Sequence, residues 1–168
     1  MISVDVSISD PRWDHICRDA ETMAEMAVKA TFEFSPSGRE MIQLGVMPEV
    51  SIVLGNDDLV QTLNREYRDK NKPTNILSFA LLDTDDGWQP PGGPGPCALG
   101  DLVVALETLQ RESSEENKLF HNHFAHLIVH GTLHLLGYDH MADSDANEME
   151  TIEIQILKEL DVPNPYKD

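Results

Sequence analysis

The sequence predicts an α+β fold: a small β-sheet of about four strands packed with helices, in one domain spanning residues 1–168. Three observations point there. Four short segments carry the apolar alternation or continuous apolar run of strands. Strand and helix segments share the first two thirds of the chain, while helical periodicity dominates the end. The length of 168 residues, with 40% hydrophobic and 25% charged residues, suits a single globular core, and no internal repeat is present.

Residues 2–8 alternate through Ile2, Val4, Val6 and Ile8, the period of a half-buried strand. Asp10 then stands as a helix N-cap with Pro11 in the first turn, and an amphipathic helix is expected over 12–30. Residues 35–40 (SPSGRE) read as a loop, and 49–54 (EVSIVL) as the second strand. Asn56 caps a helix to about Arg68, with Leu59, Val60 and Leu63 on its apolar side. The run 75–82 (NILSFALL) is nearly all apolar and reads as a buried central strand. Residues 83–98, rich in Gly, Pro and Asp, read as a long surface loop without regular structure. Residues 99–107 give the fourth strand, and a short helix and linker follow over 108–117. A long helix over 118–136 and a last one over 144–160, with Ile152, Ile156 and Leu160 in phase, complete the chain.

Composition narrows the function. The net charge of -18 opposes nucleic-acid binding by bulk electrostatics, so any such role needs a local basic patch or a metal. The two cysteines, Cys17 and Cys97, form no CxxC pair, which argues against a disulfide framework and a cysteine-rich zinc module. The opening MISVDVSISD has no basic n-region, and no long uncharged apolar run follows, so the expectation is a cytoplasmic protein with no membrane partner.

The chemistry lies in one segment. His130 and His134 stand four apart on the long helix, which sets them on one face about 5–6 Å apart at Cβ. Two imidazoles so placed can reach one ion at about 2.0–2.1 Å. Eight residues of straight helix rise about 12 Å, too far for a third ring from the same helix. Gly137 resolves this by ending the helix, since glycine takes the left-handed conformation cheaply, and the chain can fold back to bring in His140. The pattern HxxxHxxGxxH has the metzincin register, and three neutral nitrogens leave a fourth position open, as a catalytic zinc site does. One Zn2+ per chain is therefore predicted on His130, His134 and His140. His126, one turn upstream, suits a supporting role behind the ligands. His121 and His123 read as solvated, and His15 carries no signal. Peptidases with this helix carry a glutamate after the first histidine as general base, and here that position is Gly131. A substrate whose own chemistry assists cleavage, such as a phosphodiester, fits better than a peptide.

Three segments, HGTLHLLGYDH (130–140), LNREYRDKNKPTNILSF (63–79) and LGDLVVA (99–105), together resemble the YbeY family of bacterial zinc-dependent endoribonucleases. The resemblance implies a small mixed sheet with helices, related to zincins, and a role in ribosomal RNA maturation and ribosome quality control. It implies ribosomal RNA, the small ribosomal subunit and ribosome-associated proteins as partners. His130, His134 and His140 match the family's zinc ligands, and Arg68 matches an arginine near the family's cleft. Asn75 stands where many members carry an aspartate. Arg65, Arg68, Lys70 and Lys72 supply a local patch able to contact phosphates. Arg68 is the catalytic candidate, because a planar guanidinium can grip phosphate bidentately, and Arg65 and Lys72 are the substrate-binding candidates. Asp139 could orient a histidine or cap the turn, and Asp101 could face the cleft or form a turn. Trp88 could stack on a base or pin its loop. The alternatives are a zincin-type metallopeptidase or other zinc hydrolase, and a non-catalytic ribosome-assembly factor with a closed metal site, Cys97 being the candidate fourth ligand.

Overall fold

The computed structural model describes residues 1–139 and 143–167. Its main sheet has four strands: β1 (Ser3–Ile8), β2 (Val46–Gly55), β3 (Ile76–Ala80) and β6 (Gly95–Ala105). Their order is β1-β2-β6-β3, with β1-β2 and β2-β6 parallel and β3-β6 antiparallel. The sheet is mixed, as expected, but β3 is an edge strand rather than a central one. Its apolar run reflects burial on both faces. Leu77 and Phe79 pack with Val60 and Leu63 of α4 (Asp57–Arg68), while Ile76 and Ala80 join the main core. Chain order concealed this, because β6 inserts between β2 and β3.

The main core lies under the other face of the sheet. It gathers α1 (Trp13–Ile16), α2 (Ala20–Phe34), α5 (Leu106–Glu115), α6 (Phe120–Leu135) and α7 (Asp143–Glu159). Phe124, Ile128, Val129, Leu133 and Leu135 of α6 are wholly buried, each worth about 1.5–3 kcal/mol by transfer from water. Among the described residues, no helix is long and apolar enough to cross a membrane.

Three local expectations change. The helix expected over 12–30 is two helices, broken at Cys17, whose backbone leaves the helical region (φ -145, ψ 86). Trp13 anchors the first of them: its indole donates to the Gly55 carbonyl at 2.9 Å and packs on Phe120 and Phe124. Asp10 therefore closes a turn instead of capping a long helix. It accepts from the Arg12 N–H (2.9 Å), the Arg12 guanidinium (2.8 Å) and Asn56 Nδ2 (3.1 Å).

The SPSGRE segment enters a helix, α3 (Pro36–Gln43). Ser35 is its N-cap, accepting from Gly38 N at 3.2 Å, and proline takes the first helical turn. The Gly/Pro loop carries a short hairpin, β4 (Asp83–Thr84) with β5 (Gly87–Trp88), and its last residues belong to β6, which starts at Gly95.

The side chain and backbone N–H of Arg12, then Asn56, hold the Asp10 carboxyl far below its ordinary value, against burial. A depressed carboxyl pKa contributes stability that is full above the unfolded value, about 3.9, and is lost as pH falls through the folded one. The thermal midpoint of Asp10→Asn should therefore lie below the parent's at pH 6, and the gap should close steadily below about pH 4. A gap that persists unchanged at low pH would assign the loss to packing instead.

Candidate metal centre

Helix α6 presents histidines along one stripe. Ring centroids run 6.2 Å from His123 to His126, 6.1 Å on to His130 and 4.6 Å on to His134. The two expected ligands meet at the end of this ladder. His130 Nε2 and His134 Nε2 stand 3.0 Å apart. Two nitrogens on a tetrahedral zinc at about 2.0–2.1 Å would stand roughly 3.3 Å apart, so the pair is close to a bidentate grip on one ion. The third expected ligand, His140, lies outside the described residues.

The opposite ring nitrogens decide what the Nε2 atoms are. His130 Nδ1 is 2.5 Å from Glu153 Oε1, and His134 Nδ1 is 3.0 Å from the Tyr138 carbonyl oxygen. Both partners can only accept, so each Nδ1 carries the proton, and in a neutral ring each Nε2 then turns a lone pair toward the other. Lone pairs so aimed are placed to be shared by one cation. Ligating histidines commonly donate their second N–H to a carboxylate or a carbonyl, and both kinds of support are present here. The donor set thus fits a metal ion.

Glu153, on α7, is fully buried. Besides His130 it accepts from His126 Nε2 at 3.1 Å and from the Tyr166 hydroxyl. Burial pushes its pKa up, but hydrogen bonds from His126 and His130, the electrostatic pull of the His130 ring and the Tyr166 hydroxyl outweigh it, leaving about 2. The carboxylate stays ionised behind His130. His126, His130 and Glu153 also form a cluster with metal-ligand spacing, so a His/Glu group able to hold a metal is present. Sequence reasoning missed Glu153, although a signal existed. Met149, Ile152, Ile156 and Leu157 form a buried stripe, and Glu153 lies in phase with it. A charge inside an apolar stripe requires bonded partners.

The end of α6 sets the geometry. Gly137 has φ +93, Gly137 N donates to His134 O (3.1 Å) and Tyr138 N to Leu133 O (3.0 Å), the paired bonds of a Schellman turn. That second bond helps fix Tyr138, whose carbonyl orients His134. Trp88 pins its loop here: its indole donates to Leu135 O at 3.0 Å, and its ring fills the space beside Gly137. Ser37 Oγ donates to Leu136 O, and Ser37 N to the Tyr138 hydroxyl, both at 3.1 Å.

Gly131 is a packing residue. A Cβ there would lie 2.8 Å from Leu102 Cδ2, 3.1 Å from Ile76 Cδ1 and 3.2 Å from Ser78 Oγ. The helix approaches the sheet so closely after His130 that any side chain at 131 must displace the ends of the Leu102 and Ile76 side chains. Ser78 links this contact to the basic patch: Arg68 donates to its carbonyl oxygen at 2.5 Å and lies 5.3 Å from the centre of the Phe79 ring. Arg68 is thus held on β3, the strand α6 packs against. Arg65 and Lys72 are exposed, at the end of α4 and in the loop beyond it. Asn64 Nδ2 ties that loop down through Lys72 O at 2.9 Å.

Other expectations need correction. His123 is buried, not solvated, and pairs with Glu112 at 2.8 Å. Glu112 also accepts from Asn75 Nδ2 at 3.0 Å, so Asn75 serves this pair. Asp101 lies within β6, between Ser51 and Phe79, rather than at a strand start or turn. Cys97 Sγ lies near Ala98 O, and burial, with Glu49 nearby, raises its thiol pKa in the metal-free chain.

Fold and site together define a zincin-like α+β protein with a candidate metal centre on its penultimate helix. The chain belongs to the endoribonuclease YbeY family, whose model matches residues 9–161. It is 43% identical over 165 residues to Endoribonuclease YbeY of Paramagnetospirillum magneticum, covering 98% of this chain and 96% of the relative. Endoribonuclease YbeY of Bartonella bacilliformis is 39% identical over 168 residues, covering 100% of this chain and 99% of that protein. The protein of that name from Magnetococcus marinus is 53% identical over 121 residues, 70% of this chain and 82% of the relative. The solution structure of TM1509 from Thermotoga maritima shares the fold at TM-score 0.52 and 18% identity, covering 100% of this chain and 97% of that one.

The Gly131 contact gives a test. Gly131→Ala gains about 1 kcal/mol of helix propensity but overpacks the α6–sheet interface at a cost of about 1–3 kcal/mol. Urea unfolding should show a net loss, deeper for Gly131→Glu. A stabilised alanine variant would contradict the close approach.

Proposed function

We propose that the chain is a zinc-dependent endoribonuclease specific for single-stranded RNA, acting on ribosomal RNA during maturation and quality control of the ribosome in the cytoplasm. The observation that carries the metal part is the 3.0 Å approach of His130 Nε2 to His134 Nε2 while both Nδ1 atoms are bound to acceptors. Membership of the endoribonuclease YbeY family carries the substrate. His130, His134 and His140 would hold the ion. Zinc so held supplies a Lewis acid for a phosphoryl oxygen and a nucleophile at neutral pH.

The chain's own residues do the rest. Arg68, steadied by the Ser78 carbonyl and the Phe79 ring, offers its guanidinium to a phosphate and stabilises charge as it develops. Arg65 and Lys72 contact flanking phosphates and set the register of the strand. With a net charge of -18, association depends on these few cations, and a single strand suits so narrow a patch. The peptidase reading loses support because residue 131 is a glycine and supplies no carboxylate, and Glu153 is occupied behind His130. The small ribosomal subunit and ribosome-associated proteins are the proposed partners.

The test is cleavage of a structured ribosomal RNA fragment, with zinc content measured on the same preparations. His134→Ala should lose both zinc and cleavage. Arg68→Ala should keep zinc and lose cleavage by about 10²–10³-fold, the usual loss on removing one such stabilising donor. Equal cleavage by parent and His134→Ala would overturn the nuclease reading, and full activity in Arg68→Ala would remove that residue's role.

A further inference from the structure

The chain turns back after α7. Asp161 adopts left-handed backbone (φ 60), and residues 162–167 run along the first turns of α6. Lys118, in the α5–α6 connection, clamps this tail by donating to Pro165 O at 3.0 Å and to Glu116 Oε1 at 3.1 Å. The tail and α6 border a cavity of about 880 Å³ with His123, His126 and Tyr166 on its wall. Tyr166 is 45% exposed, yet its hydroxyl points inward. It donates to Glu153 and lies 3.3 Å from His126 Nε2, with its ring edge-on to His126 at 5.5 Å. An exposed ring gains little from burial, so the hydroxyl is what the tail delivers.

We propose that Tyr166 is a positioning residue for the metal centre: its hydroxyl fixes the Glu153 carboxylate, which holds His130 with Nε2 toward His134. This rests on the metal reading above. The sequence of contacts is continuous. Tyr166 and His126 bond Glu153 Oε2, leaving Oε1 for His130 Nδ1. A carboxylate bonded on one oxygen only can rotate about its terminal torsion, which has broad preferences. Two donors on Oε2 remove that freedom and hold the His130 ring plane. The C-terminal tail thereby becomes part of the metal site, some thirteen residues beyond the buried carboxylate.

Loss of a group supporting a metal ligand typically weakens metal binding by about 10–100-fold. Glu153→Gln should show that loss, and Tyr166→Phe, one bond further out, about 3–10-fold. The experiment is a zinc titration of the full chain against a chromophoric chelator, with thermal melting of the metal-free proteins alongside. The double variant should bind zinc no more weakly than Glu153→Gln alone, because Tyr166 acts through that carboxylate. A purely structural tyrosine would change the melting point but leave zinc affinity untouched. Zinc bound equally by parent and Tyr166→Phe overturns the inference alone, as do losses that multiply in the double variant. A parent that takes up no zinc overturns the metal reading and this inference with it.

Discussion

Two imidazole nitrogens face each other across 3.0 Å, and the rest of the site exists to keep them there. Each ring has its far nitrogen tied to an acceptor, one to a buried carboxylate and one to a backbone carbonyl. Neither ring can turn its proton inward without breaking that bond. With both Nδ1 atoms so engaged, the two Nε2 atoms are left aimed at one point, where a cation can take both. Packing holds the rings there, chiefly through the buried faces of α6 and α7.

The supports come from five parts of the chain: α6 with the turn that ends it, α3, β5, α7 and the tail. Gly131 lets α6 lie close against Leu102 and Ile76, which sets the height of His130 over the sheet. Gly137 ends the helix in a turn that presents the Tyr138 carbonyl to His134, and Trp88 and Ser37 bind the last carbonyls of α6. Helix α7 supplies Glu153, and the tail supplies Tyr166. On the far side of the same strand contact stands Arg68, bonded to Ser78. The candidate metal centre and the proposed phosphate-binding cation are thus referenced to one strand, β3, and this coupling suits the proposed reaction, in which both must meet one phosphodiester.

Much of this was legible in the residues. The i, i+4 histidines and the glycine three residues beyond His134 carry a local geometry that tertiary contacts do not alter, so that part of the site was readable. Strand alternation likewise placed β1, and the apolar segments 49–54 and 99–107 located β2 and the second half of β6. What failed was non-local. NILSFALL reads as a central strand because it is covered on both faces, and only topology reveals that β6, not β3, lies inside the sheet. The break at Cys17 depends on Trp13 finding Gly55 and Phe124, contacts invisible to periodicity. The Ser35-Pro36 start of α3 was a local signal outweighed by its Ser, Pro and Gly content. Glu153 went unnoticed because a single acidic residue in an acidic chain looks ordinary, until its phase with Ile152 and Ile156 is counted.

Glu153 admits two chemical uses, and they divide the account. As a support, it accepts the His130 proton and never touches the ion. As a ligand, it would share a metal with His126 and the Nδ1 of His130, the other grouping with suitable spacing. The decisive measurement is a crystal structure of the zinc-soaked protein with anomalous scattering at the zinc edge. The anomalous peak is expected on the Nε2 side, about 2.0–2.1 Å from both His130 and His134, with Glu153 still bonded to His130 Nδ1. A peak between Glu153, His126 and His130 Nδ1 would contradict it.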